Sequence, residues 1–187
     1  MENPSAPRGK SDKYARRERE RRFLLRRVPD TPHPTRVVAI TDHYLVGTRL
    51  RLRRTVEDGE ARPMVHKLTQ KVPGPGGGPG LITNLYLSAD EYDLLLRLPA
   101  KRLDKVRYRV APLGVDEFSG RHRGLVLAEA EFESDEGMAV FRRPDWVLAE
   151  VTDDERLTGG RLAQMSRAEL IGVLSDFGVV LTDEPSD

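Results

Sequence analysis

Four stretches of this 187-residue sequence carry polar, mostly charged residues at every second position, and the charges in each are of one sign. Arg49, Arg51 and Arg53 alternate with leucine; Lys67, Thr69 and Lys71 alternate with Leu68 and Gln70; Lys105, Arg107 and Arg109 alternate with Val106, Tyr108 and Val110. The fourth is acidic, with Glu129, Glu131 and Glu133 separated by Ala130 and Phe132. Period-two alternation is the mark of a β-strand with two unlike faces. Three cationic faces meeting in a dry core would repel, so they share one side only where a wet cavity takes a polyanion. Two carboxylates about 4 Å apart repel by about 4 kcal/mol at an effective dielectric near 20, so an inward acidic face implies a cation. A hard cation and many bases together suit a chain of phosphates.

The elements that must position these faces are mostly short strands. Residues 37–40 and 85–87 are further strand candidates beside the four charged ones. Ser88 with Glu91, and Ser166 with Glu169, are capping boxes that predict helices, the first to about Leu98 and the second closed by Gly178. Ser134 predicts a third, short helix. Residues 73–80 (PGPGGGPG) read as a hairpin loop, not a phosphate loop, because no Gly-Lys-Ser/Thr follows. Residues 1–12 are predicted to be a disordered tail, residues 13–182 one domain, and residues 183–187 a second tail.

Composition bounds the function. Charged residues are 33% and aromatics 6%, and the formal net charge is +1. That near-neutrality hides a split, with 24 Lys/Arg against 13 Asp/Glu through Val110, and 7 against 17 from Ala111. The absence of Cys excludes disulfides, thiolate metal sites and a Cys nucleophile, so a metal would be held by oxygen or imidazole. His33, His43, His66 and His122 show no ligand spacing, which leaves carboxylates and hence Mg²⁺ or Mn²⁺. No apolar run resembles a signal sequence or a membrane span, so a cytoplasmic protein is expected. The basic stretch at residues 16–27 holds one aromatic, Phe23, and no interleaved series of base-stacking rings, which argues against nucleic acid as the partner.

The ordered set of motifs resembles the CYTH family, the triphosphate tunnel metalloenzymes. Residues 17–25 (RERERRFLL) match that family's opening Glu-x-Glu-x-Lys, with Glu18, Glu20 and then Arg22 in place of Lys. Residues 40–45 (ITDHYL), 50–54 (LRLRR), 67–71 (KLTQK), 104–110 (DKVRYRV) and 124–132 (GLVLAEAEF) follow in order. Residues 146–157 (WVLAEVTDDERL) resemble the closing signature. The resemblance spans residues 16–162.

It implies a mainly β (α+β) fold, a closed eight-stranded antiparallel β-barrel tunnel with a polar lumen and helices packed outside. It implies a metal-dependent phosphohydrolase for inorganic or organic triphosphate, using Mg²⁺ or Mn²⁺, with a triphosphate or nucleotide as its small-molecule partner and room for a homodimer. Glu18, Glu20, Glu129 and Glu131 would hold metal; Arg22, Arg51, Arg53, Lys105 and Arg107 would grip phosphate; Tyr44 and Lys71 would activate water. A lysine among cations is a usable general base near neutral pH. Two departures stand out. The fifth strand, residues 81–86, has none of the inward acids of many members, and no His precedes Phe as in the cyclase branch. The missing acids keep a second reading open, a tunnel that binds nucleotide or polyphosphate as a sensor without turnover. Read in isolation, residues 16–22 also fit a solvated helix with a Glu18–Arg22 pair.

Overall fold

The computed structural model describes residues 15–30, 36–59, 64–72, 74 and 80–181. Both predicted tails and most of the 73–80 loop lie outside them. The strands are β1 (Arg16–Arg17), β2 (Glu20–Leu25), β3 (Val37–Leu45), β4 (Leu50–Glu57), β5 (Met64–Val72) and β6 (Leu81–Leu87). After helix α1 (Ala89–Leu95) come β7 (Ala100–Val110), β8 (Leu113–Phe118), β9 (Val126–Glu131), α2 (Asp135–Val140) and β10 (Ala149–Glu150). The chain ends in α3 (Gly159–Leu162) and α4 (Arg167–Ser175). The three predicted helix starts are all present. Ser88 and Ser166 each form a complete capping box, and Ser134 accepts from the Gly137 amide. Gly178 adopts φ of 66° just beyond α4, where the Val179 amide bonds back to the Leu174 carbonyl.

All strand pairings are antiparallel, in one ten-stranded sheet of order β1-β6-β5-β4-β3-β7-β8-β9-β2-β10. This corrects the expected eight-stranded closed barrel. The hydrogen-bonded ladder is open, and the reason lies in the first strand. It is split at Glu18 and Arg19: β1 pairs with β6, whereas β2 pairs with β9 on one side and β10 on the other. β10 takes the second edge of β2 at Phe23 and Leu24, so β6 does not pair there. The chain itself still draws the ends together. The Glu18 amide bonds to the Gly80 carbonyl, and the next residue's carbonyl, on Arg19, accepts from the Phe132 amide. Two successive residues therefore tie both ends of the sheet, and its strands curl around a common cavity.

The two faces of the curled sheet are covered differently. Phe23, Leu25, Val115, Val126, Ala128 and Ala130 face outward and are buried with Val147 and Phe141. On the inner face the residues turn apolar toward one end. There Leu24, Leu103, Phe118 and Leu127 pack against Leu157, Leu162, Leu170 and Leu174 from the C-terminal segments. α4 thus caps one end of the concave face, and His122 Nε2, 2.6 Å from the Leu162 carbonyl, fastens α3 there. No described helix is long and apolar enough to cross a membrane. Leu170 is fully buried, so Leu170→Ala is expected to lower the unfolding free energy by about 2–5 kcal/mol, read from urea denaturation.

Candidate functional site

The concave face encloses two cavities that share walls. One, about 710 Å³, is lined by residues of β1, β2, β4, β5, β6, β7 and β9, among them Arg51, Arg53, Lys67, Asn84 and Arg107. The other, about 500 Å³, lies toward α3 and includes Arg22, Tyr44, Lys105, Phe118, Gly159 and Gly160. Glu18, Glu20, Arg51, Lys71 and Glu129 line both, so they mark the middle of one continuous site. A third space of about 340 Å³ opens beside Arg107, Glu129 and Glu131. Register explains the convergence, because antiparallel partners point to the same face: Asp42, Arg53, Lys67 and Tyr86 form one cross-strand row, and Arg51, Thr69 and Asn84 another.

The basic residues are held by acids that the sequence patterns did not single out. Asp42, 1% exposed, takes Arg53 in a bidentate pair at 2.6 and 2.7 Å and lies 3.6 Å from Arg51. Asp116, fully buried, takes Arg107 at 2.6 Å on each oxygen and Lys105 at 2.5 Å. The cationic faces therefore share a lumen partly because buried acids sit among them, which removes the need for a ligand to neutralise them all. Burial alone would raise the Asp42 carboxyl, but Arg53 and Arg51 override it and bring it to about 2. The signal for both acids was inward parity with Ile40 and Tyr44 on β3 and with Gly114 and Phe118 on β8. Alternation alone names neither partner.

The expected metal ligands fall into three situations. Glu18 is ion-paired with Lys71, whose ammonium also lies 3.9 Å from Glu20. Glu129 is paired with Arg107. Burial would raise its carboxyl, but Arg107, Lys105 and Lys71 hold it well below the usual carboxylate range. Glu20 is pushed up to about 7, by burial first and then by Glu129 and Glu18, against the pull of Lys71 and Arg22. Glu131 is exposed at the rim, directly opposite Glu20 in register. Among the described residues no group of three or more acids or imidazoles stands close enough to ligate a cation as placed.

The expected phosphate ligands also differ among themselves. Arg22 spends its guanidinium on the carbonyls of Leu157 at 2.9 Å and Thr152 at 2.5 Å, with Glu20 at 3.7 Å. Thr152 Oγ1 accepts from the Arg22 amide and donates to Glu150, which holds Arg21 in turn. The closing segment is thereby stitched to β2. Arg51 bonds Thr69 at 3.4 Å, and its buried Nε has no hydrogen-bond partner. Tyr44 and Lys71 line the same 500 Å³ cavity. Burial and Asp42 push the Tyr44 hydroxyl up to about 12, so it is neutral at physiological pH. A methyl group on Gly159 would stand 2.0 Å from that hydroxyl, so glycine is what lets the backbone close over the ring. Lys67 was read only as part of a basic face. It is half-buried in the larger cavity, and burial with Arg53 and Arg51 lowers it to about 8.

A curled antiparallel sheet whose concave face carries interleaved acids and bases over a central cavity is the architecture of a tunnel-type fold. In its curled sheet and in the order of its motifs the chain is similar to the CYTH, or triphosphate tunnel, family. No family model matches it. A relative in Acetivibrio thermocellus, named inorganic triphosphatase, is 41% identical over 66 residues, which cover 33% of this chain and 41% of the relative. The match thus spans less than half of the relative's length. The solved structure of the inorganic triphosphatase NE1496 superposes with a TM-score of 0.52 at 25% identity, over 79% of this chain and 95% of that one. A second structure, titled hypothetical protein NE1496, gives 0.52 at 26% identity over 80% and 99%.

Two predictions follow from the ion network. The Glu20 carboxyl rises on folding, so stability falls as pH rises from the unfolded value near 4 to about 7. Glu20→Gln is therefore expected to raise the melting temperature of the metal-free chain at about pH 8, by about 4 °C or more, with the gain vanishing near pH 4. Asp116→Asn leaves Lys105 and Arg107 short of their buried counter-ion, and chemical denaturation should show a loss of about 3–5 kcal/mol.

Proposed function

We propose that the chain is a metal-dependent triphosphatase that cleaves the terminal phosphoanhydride of inorganic triphosphate, or of an organic triphosphate, inside the central cavity. The observation that carries this reading is the shared wall of the two cavities, where Arg51 and Lys71 meet Glu18, Glu20 and Glu129. The buried Nε of Arg51 supports it: its nearest carboxylate, Asp42 at 3.6 Å, is beyond hydrogen-bond distance, which leaves the donor to fit an anion oxygen. The names of the Acetivibrio thermocellus relative and of the NE1496 structure agree with it.

The donor set fits a hard divalent cation such as Mg²⁺ or Mn²⁺: oxygen ligands only, and one carboxyl, on Glu20, whose ionised form is held back by burial and then by neighbouring acids. Glu18, Glu20 and Glu129, with Glu131 at the rim, would hold it once Lys71 and Arg107 turn from their acids to phosphate. Bound there, such a cation supplies charge neutralisation at the bridging and terminal phosphate oxygens. Arg51, Arg53, Lys105 and Arg107 grip the phosphate chain, with Asp42 and Asp116 fixing their orientation. Arg22 keeps the closing segment in place as well as lining the inner cavity. Tyr44 and Lys71 orient the water whose oxygen attacks the terminal phosphorus. The bond from that phosphorus to the bridging oxygen breaks, and a triphosphate becomes a diphosphate and orthophosphate.

A second reading has its own observation. Asn84 faces the cavity as the acceptor of the Thr69 hydroxyl at 2.8 Å, on a strand with no acid, which suits a sensor that binds without turnover. Phosphate release from tripolyphosphate, ATP and thiamine triphosphate with Mg²⁺ or Mn²⁺ separates the two. The native chain should release phosphate from at least one, and Glu129→Gln should lower kcat about 100-fold or more. Binding with no release from any of the three overturns the hydrolase reading.

A further inference from the structure

Three lysines line the cavities, Lys67, Lys71 and Lys105. Lys71 is paired with Glu18, and Lys105 with Asp116. Among the described residues Lys67 has neither a hydrogen bond nor an ion pair, although it is only half exposed. Its cross-strand neighbours make the arrangement stranger. It stands directly opposite Arg53 on β4, with Tyr86 opposite on β6, so two cations face one another on one side of the sheet. Directly opposed like charges destabilise a sheet unless something of the other sign comes between them. Asp42 is already committed to Arg53 in a bidentate pair, and Glu131 reaches Lys67 only as a distant charge from β9. The depressed ionisation of Lys67 agrees with a cation that lacks its counter-ion.

Position says which anion it would meet. Lys71 and Arg51 line both cavities, Lys105 and Arg22 only the inner one, and Lys67 and Arg53 only the outer one. Lys67 and Lys71 are four residues apart on β5, about 13 Å along the strand. An anion held at the middle of the site meets Lys67 only if it extends outward.

We propose that Lys67 is a chain-length specificity residue, the cation that grips the outermost phosphate of a linear polyphosphate and so favours three linked phosphates over two. The proposal rests on the triphosphatase reading for the class of anion, but not on turnover. Lys67 holds no ion pair, so its replacement leaves the buried network of Asp42 and Asp116 intact.

The test is calorimetric titration of the full chain with tripolyphosphate and with pyrophosphate, in the absence of divalent cations, for the native protein, Lys67→Ala and Lys67→Arg. Lys67→Ala should weaken tripolyphosphate about tenfold or more and pyrophosphate less than about threefold, and Lys67→Arg should restore most of the difference. Equal weakening of the two anions, no weakening, or no binding of either by the native chain overturns the proposal. Length-dependent binding with no phosphate release from the native chain once Mg²⁺ or Mn²⁺ is added overturns the hydrolase reading and leaves the role of Lys67 standing.

Discussion

The buried carboxylates of Asp42 and Asp116 are the constraint on which the rest of the structure depends. Taking an ion out of water costs several kcal/mol even after relaxation, and a cluster of like ions costs more. Arg53, Lys105 and Arg107 occupy the concave face because each has a carboxylate within hydrogen-bond distance on the neighbouring strand, directly in register for Arg53 and Arg107. Without those two acids the sheet could not turn its basic faces inward. With them it becomes a preformed cradle in which the guanidinium groups are already aimed.

The remaining ion pairs have a different character. Glu18 with Lys71 and Glu129 with Arg107 join residues that face the shared centre of the two cavities. In each pair an acid suited to a metal ion is held by a base suited to phosphate. On the proposed reading a metal-bound polyphosphate would offer both partners at once, so the four groups would exchange their contacts without any charge becoming isolated. Glu20 has only looser partners, Arg22 at 3.7 Å and Lys71 at 3.9 Å, and burial together with Glu129 and Glu18 holds back its ionised form.

The division of the first strand matters as much to the architecture. β1 and β2 belong to opposite ends of the hydrogen-bonded order, yet only Glu18 and Arg19 separate them. Of those two, Glu18 lines both cavities, so the place where the ladder breaks is also where the cavities meet. β10 takes the edge that full closure would need, and the segment after it, held by Arg22, carries Gly159 over Tyr44.

Local features of this protein were legible in the sequence. Alternation over residues 49–53, 67–71, 105–110 and 128–133 placed four strands and their inward faces, because side chains on a strand point alternately by geometry. Ser88, Ser134 and Ser166 placed three helix starts, because a cap is satisfied within four residues. The motifs in residues 17–25 and 124–132 placed the acids that meet across β2 and β9. What the tertiary structure decided was partnership: that Asp42 and Asp116 neutralise the bases, that Arg22 holds carbonyls, that Lys71 has acids beside it while Lys67 faces Arg53, and that β10 leaves the ladder open. Those outcomes turn on which residues from distant strands arrive side by side and how much water remains between them, and a charge pattern along one chain carries neither.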